Sequence, residues 1–400
     1  MAEEKHKDHR DLGQELDLFS FHEIAPGAPF WHGKGMIIWR ELEKYIREKL
    51  DKADYQEVST PVLVKKELFE KSGHWEHFRD NMFYFKNPMD ENEILALKPM
   101  NCPESTLIYS SKIRSYRDLP IRLSEVTGKL HRNELSGTLG GLLRVRQMTQ
   151  DDAHIYARSD QIESEIKNLM DLVKEFYDKL EMSLSFNMAT RPENAMGDIK
   201  LWNEAEKHLE VVLKKSKVKY QIKEKDGAFY GPKIDINVTD SQQREWTIAT
   251  VQLDFQLPER FELEYIDEKG EKQRPVMIHR AIFGSFERFI GIMLEHFNGA
   301  LPFWLSPVQV KILTVSDKVE NYAKDVEKIL KEKNIRVETD LRNESIGKKI
   351  REGEMQKIPY LFVLGEKEEK ENKVAVRERG KGDKGGVNLE KFIESLLKPV

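Results

Sequence analysis

Cysteine is all but absent: Cys102 is the only one in 400 residues. An intramolecular disulfide is therefore excluded, and a reducing, cytoplasmic setting is the expectation. No run approaches the roughly 18 apolar residues of a membrane span, so no membrane partner is expected. The opening stretch, Met1 to Asp17, mixes both charge signs and has no apolar core. It resembles neither a secretory leader nor an Arg-rich, acid-poor transit peptide. Three common signatures are missing as well: the Gly-x-x-x-x-Gly-Lys-Ser/Thr phosphate loop, His-Glu-x-x-His and the Gly-x-Ser-x-Gly elbow. Gly137, Gly140 and Gly141 do not open a helix after a strand, so they are no dinucleotide fingerprint. Any nucleotide chemistry must use another kind of site. A large excess of one charge is lacking too, since 65 Lys and Arg face 70 Asp and Glu, for a net charge of -5. Residues 301–400 hold 21 basic and 18 acidic residues. Charge alone does not separate an RNA-facing surface from ordinary solvated surface here.

The composition, 39% hydrophobic and 34% charged, suits a buried core under a charged surface, and the length allows two domains. Met36 to Leu50 reads as an amphipathic helix, with Ile38, Leu42, Tyr45 and Ile46 three or four apart. Asp54 to Ser59 is strand-like and stops at Pro61, which places it at a sheet edge or a strand end. Ile121 to His131 and Arg144 to Ala157 read as the arms of a long antiparallel hairpin around a Gly-rich loop, Leu135 to Leu142. Asp160 to Glu181 reads as a helix. Phe229 to Val238 and Glu245 to Phe255 form a second hairpin, Val276 to His279 a short strand, and Gly284 to Phe297 an apolar helix. After Pro302 the pattern changes. Strands Val308 to Thr314, Ile335 to Thr339, Tyr360 to Leu364 and Lys373 to Val376 alternate with helices Val319 to Glu332, Ile346 to Lys357 and Leu389 to Leu397. Gly365 to Asn372 reads as a charged turn. That alternation predicts a small α/β domain over 302–400, after a larger domain over 1–301.

Three groups of residues could carry chemistry. His131-Arg132-Asn133-Glu134 leaves a strand where Arg144 and Arg146 return, so a hairpin would bring Arg132 and Arg144 together. Converging guanidiniums suit a phosphate, and the alternative is a surface charge cluster balanced by Glu134. Arg288 sits one turn past Gly284, where a helix start followed by arginine suits a polyphosphate or a base; the alternative is a core helix with one solvated arginine. Cys102, His154 and His279 are potential metal ligands, but their separation gives no spacing signal, and a lone cysteine is more often a small buried hydrophobe. A single cysteine argues against a Cys-rich structural zinc site and leaves open a three-ligand site with a free position.

At these residues the chain resembles the class II aminoacyl-tRNA synthetases, and among them the threonyl type, from about Asp8 to the C-terminus. The helix and strand ending at Pro61 match the first class II motif. His131 to Glu134 with Arg144 match the second, and Gly284 to Arg288 the third. Lys71 to Trp75, Lys98 to Pro103, Thr149 to His154, Phe229 to Asp235 and His279 to Arg288 match threonyl-type strings in order. The resemblance implies an α+β catalytic domain, an antiparallel sheet flanked by helices, followed by a small α/β anticodon-binding domain. It implies a threonine–tRNA ligase that activates threonine with ATP and charges threonine tRNA, with one zinc per chain on Cys102, His154 and His279, and magnesium with ATP. Met100, Gln150, Asp152 and Tyr230 would line the threonine pocket, with Asp152 accepting from the threonine hydroxyl. Arg132 and Arg144 would hold the α-phosphate, Glu134 the adenine amino group, and Arg288 the base and γ-phosphate. Gln252, Lys233 and Ser285 would complete the pocket, and His74 matches the histidine of the transfer step. Asn343, Glu368 and Arg377 align with anticodon contacts.

Two positions depart from the pattern: Met148 replaces an aromatic under the adenine, and Thr247 replaces a glutamine of the active-site strand. The editing region of many relatives is missing, so serine, one methyl smaller, is expected to be charged measurably. A homodimer is implied by the first motif, and a separate editing protein is a further partner the resemblance allows. The competing readings are a prolyl-type synthetase, which has no counterpart to the three-ligand set, and a synthetase-like RNA-binding regulator without aminoacylation. The second tends to lose the motif arginines, which are all present here.

Overall fold

Strands in which side chains alternate between two faces assemble, in a computed structural model that describes residues 6–126 and 128–396, into a nine-stranded sheet. Its order is Tyr220–Lys223, Leu184–Ala189, Lys233–Thr239, Glu245–Asp254, Val276–Ser285, Gln147–Ala157, Ile121–Glu125 and Gln56–Glu57, with Lys129–His131 also pairing on Gln147–Ala157. Neighbours run antiparallel except Leu184–Ala189 with Tyr220–Lys223 and Gln56–Glu57 with Ile121–Glu125. One face is closed by helix Ile162–Asp178, whose Ile162, Ile166, Leu169, Val173 and Phe176 recur at helical spacing and are buried. Each such side chain contributes about 1.5–3 kcal/mol by leaving water. A small three-stranded sheet, Leu63–Lys65, Asp90–Leu97 and Phe83–Asn87, packs Phe69, Met82 and Ala96 at its own core.

These elements lie in a compact unit formed by Phe21–Pro29 and Glu43–Ile292. A second unit comprises the chain up to Ser20, Phe30–Leu42 and the chain from Met293. It holds a five-stranded sheet in the order Val337–Asp340, Val310–Thr314, Tyr360–Leu364, Val374–Glu378 and Gly382–Val387. The first three are parallel and the last two antiparallel. Helices Glu320–Glu332, Ile346–Met355 and Leu389–Leu396 accompany it, and Leu397 lies outside the described residues. The expected fold class, an α+β domain with an antiparallel sheet followed by a small α/β domain, is the one observed. Among the described residues, no helix is long and apolar enough to cross a membrane.

Several elements differ from expectation. The helix read over Met36–Leu50 runs from Gly33 to Lys52. The arm Ile121–His131 is two strands, broken after Glu125, and its return begins at Gln147, because a tight turn over Gly141–Leu143 delays it. The short strand Val276–His279 continues to Ser285, and the helix starts at Phe286. Gly284 is thus the kinked end of a strand, at φ 74°, and does not begin the helix. Gly365–Asn372 holds a helix, Glu366–Glu371, stabilised where Glu368 Oε2 accepts from Gly365 N at 3.0 Å.

Candidate active site

Side chains two apart on a strand point the same way, so Met148, Gln150, Asp152 and His154 share one face of Gln147–Ala157. The sheet register extends that face sideways: His154 is opposite His279, His279 opposite Gln252, and Gln252 opposite Lys233. Cys102 reaches the same place from the first turn of helix Cys102–Ser110. One donor atom each from Cys102, His154 and His279 lie within 4.8 Å of one another, and all three residues are buried. The three ligands proposed from far-apart segments therefore converge.

Carboxylates stand behind both rings. His279 Nε2 is 2.9 Å from Asp254 Oδ2, and His154 Nε2 is 3.8 Å from Asp152 Oδ2. The Asp254 contact fixes the orientation and tautomer of the His279 ring, whereas Asp152 stands beyond hydrogen-bond reach of His154. Burial lowers His154 to about 4, with the nearby Asp152 charge opposing, which keeps the imidazole neutral and able to coordinate. Burial likewise pushes the Cys102 thiol up, and a bound cation is what would reverse that. One thiol and two imidazoles are donor types zinc accepts, with a fourth position for substrate. The residues present fit the metal.

Around this group, the Tyr230 ring lies 5.1 Å from that of His279 and 6.1 Å from that of His74. His74 is fully buried, with Nε2 3.6 Å from Cys102 Sγ and Nδ1 2.8 Å from Ser72 Oγ. Burial takes its imidazole down to about 3. Met100 packs against the apolar cluster that contains Cys102. Asn101 Nδ2 donates to Asp152 Oδ2 at 2.9 Å, a contact not anticipated from sequence.

Next along the face is a cavity of about 470 Å³, a size that suits a nucleotide. Arg132, Glu134, Arg144, Met148, Ser285 and Arg288, all expected at the nucleotide, line it, together with Gln150, which was expected at threonine. Arg144 pairs with Glu134 at 2.8 Å, so the hairpin gathers both charge signs. Arg132 lies over Phe78 and Arg288 over Trp246. The buried Nε atoms of both arginines have no partner among the described residues, and burial lowers both guanidinium pKa values. Half-buried guanidiniums with an unsatisfied donor are suited to gain from an anion. Gln252 and Lys233 stand outside the lining: Gln252 Nε2 donates to Gly231 O at 2.9 Å, and Lys233 pairs with Asp235 at 2.6 Å. Thr250 and Phe283 line the cavity and were not expected, and Thr247, noted as a departure on the active-site strand, lines it too. For Thr250 the available signal is its register opposite Ala281, which faces Asp152 in turn.

The three anticodon candidates lie on three separate segments of the region after Pro302. Asn343 is exposed in the loop after Val337–Asp340, Glu368 caps its own helix, and Arg377 is 3.5 Å from Glu354.

Residues 83–297 match the tRNA synthetase class II core domain (G, H, P, S and T), and 309–398 match an anticodon binding domain. The crystal structure of the RNA binding domain of threonyl-tRNA synthetase from Cryptosporidium parvum Iowa II aligns with a TM-score of 0.93 at 40% identity, over 98% of this chain and 99% of that one. The chain belongs to the threonyl-tRNA synthetase family. Within that family, the threonine–tRNA ligase of Clostridium tetani (strain Massachusetts / E88) is 52% identical over 396 residues, 99% of this chain and 61% of that protein. The ligase of Carboxydothermus hydrogenoformans is 52% identical over 397 residues, with 99% and 62% covered. The chain thus spans about three-fifths of the length of these curated family members.

Proposed function

We propose that this chain is a threonine–tRNA ligase, activating threonine with ATP and passing it to the 3′ end of threonine tRNA. The observation that carries the reading is the meeting of Cys102, His154 and His279 beside an arginine-lined cavity. Those three side chains would hold one zinc, which supplies a Lewis-acidic position for the substrate amine and hydroxyl. Asp152, held by Asn101, accepts the hydroxyl hydrogen bond. Gln150, Tyr230 and Met100 shape the rest of the pocket. Valine lacks the hydroxyl and would leave the metal position short of one donor, a loss that sites built around a substrate hydroxyl punish by on the order of ten-thousand-fold. Serine keeps the hydroxyl and loses one methyl, worth only about 1–3 kcal/mol.

In activation, a threonine carboxylate oxygen attacks the α-phosphorus, and the bond to pyrophosphate breaks. Arg132 and Arg144 stabilise charge on the non-bridging oxygens, and magnesium accompanies the ATP. Arg288 stacks on adenine and reaches the γ-phosphate, Glu134 accepts from the adenine amino group, and Met148 packs on the base. Ser285, Gln252 and Lys233 support this arrangement. In transfer, a hydroxyl of the terminal tRNA ribose attacks the threonyl carbonyl and AMP leaves, with the neutral His74 nearby. Asn343, Glu368 and Arg377 face the anticodon from the domain over 302–400. A cytoplasmic homodimer, with or without a separate editing protein, completes the proposal.

Threonine-dependent ATP–pyrophosphate exchange tests it. The expected result is robust exchange with threonine, exchange on serine lower by about 10–200-fold, and none with valine. Cys102→Ser is expected to lose both bound zinc and exchange. Exchange by a fully active, metal-free protein would overturn the zinc assignment. RNA binding without any exchange would favour the regulator reading instead.

A further inference from the structure

Asp151 lies between two residues of the substrate face, Gln150 and Asp152, and its side chain points to the other side of the sheet. It is fully buried there. The strand opposite changes register at this point: Ala281 pairs with Asp152 and Ser285 with Gln150. Three residues, Ile282, Phe283 and Gly284, therefore face Asp151 alone. Pairing with Glu245–Asp254 on the other flank stops at Ala281 as well. Three consecutive backbone N–H groups are left without a strand partner, and buried donors left unpaired are costly.

The Asp151 carboxylate accepts all three. Oδ2 takes Ile282 N at 2.8 Å, while Oδ1 takes Gly284 N at 2.9 Å and Phe283 N at 3.3 Å. Arg280, also buried, balances its charge: Nη1 is 2.5 Å from Asp151 O and 3.4 Å from Oδ2. Tyr177 donates to Ile282 O at 3.1 Å. Gly284 reaches a φ of 74°, and a Cβ there would come 3.1 Å from Ile248 O. The segment so held forms one wall of the arginine-lined cavity, through Ala281, Phe283, Gly284 and Ser285. Ser285 Oγ then accepts from Arg288 N at 3.1 Å at the start of the helix.

We propose that Asp151 is a positioning residue for the nucleotide: its carboxylate replaces a missing strand and sets the bulge from which Ser285 and Arg288 meet ATP. It touches neither substrate. The inference rests on the reading of this cavity as the ATP site.

The test is exchange kinetics and magnesium–ATP binding for the wild type and Asp151→Asn. An amide nitrogen cannot accept, so part of the clamp is lost. The expected result is a KM for ATP raised about tenfold, with the KM for threonine changed less than twofold. A residue that only supports the fold would weaken both together, and that result, or an unchanged KM for ATP, overturns the proposal. If Asp151→Asn does not fold, Tyr177→Phe decides, because it removes only the hydroxyl on the Ile282 carbonyl. A rise of about two- to threefold in the KM for ATP alone supports the proposal, and no change overturns it. A wild type that binds no ATP would sink the reading of the cavity and this inference together. A wild type that binds ATP beside an indifferent Asp151→Asn would sink this inference alone.

Discussion

Glu287 and Arg288 are neighbours with opposite surroundings. Arg288 lines the cavity, whereas Glu287 is buried and its Oε2 accepts from Thr149 N at 3.0 Å. Burial raises the Glu287 carboxyl to about 7 from an ordinary 4.5, against the pull of that backbone hydrogen bond. The folded state then holds a proton that the unfolded chain gives up above pH 4.5. Any stability tied to this proton is full below 4.5, falls as pH rises, and is gone above about 7. Glu287→Gln cannot ionise and can still accept from Thr149. Its stability relative to the wild type is expected to improve by about 3 kcal/mol between pH 4.5 and 8, measured by denaturant unfolding at each pH. A difference independent of pH would refute this. Met148, Gln150, Asp152 and His154 were legible through the family resemblance, and their repeat at every second position explains why one strand face holds them all. The role of Asn101 was not legible, since its hydrogen bond to Asp152 crosses 51 positions of chain.

At the level of elements, regular alternation and helical spacing carried the sequence reading, and irregularity defeated it. Helix Ile162–Asp178 has a continuous apolar stripe and emerged nearly as expected. Helix Glu366–Glu371 has no apolar stripe at all, only charges and a cap, so periodicity is silent there. The Ile282–Gly284 bulge hides for a related reason: its partner is a side chain, and pairing rules describe strands. Side chains also tie element ends together in the smaller sheet. Asp340, the last residue of Val337–Asp340, holds Arg342 through contacts of 2.9 and 2.6 Å, and Arg342 also pairs with Glu352 of the next helix. Arg342 keeps the Asp340 carboxyl down at about 2, below its ordinary 3.8. This contribution is present above pH 3.8 and lost as pH falls toward 2. Asp340→Asn is expected to cost about 1 kcal/mol at pH 7, since solvent around the half-exposed Arg342 screens the pair, a gap that closes on acidification below pH 4. Equal destabilisation at pH 3 and pH 7 would count against it.

Across the whole molecule, the trio proposed to hold zinc marks what spacing could not supply. Cys102, His154 and His279 meet only because one strand, its neighbour and a separate helix converge. Family resemblance identified them; periodicity had nothing to offer. Charge is the other molecule-wide quantity. A protein with net charge -5 binds a polyanion through local clusters of Lys and Arg. Such contacts release counterions and are weakened by salt. The KM for tRNA in aminoacylation is expected to rise on the order of tenfold between 50 and 200 mM salt, for roughly two or three phosphate contacts. Exchange at saturating ATP and threonine should move far less. A flat dependence on salt would argue against phosphate contacts as the main grip on tRNA.

The strand Gln147–Ala157 imposes a parity on change. Substitutions can retune its four substrate-side residues singly. Inserting or deleting one residue between Met148 and His154 would exchange the strand's two sides beyond that point. His154 would then turn into the helix-packed interior while an apolar neighbour took its place beside Cys102 and His279. Descendants of this sequence can therefore drift in letters along the segment, but hardly in length.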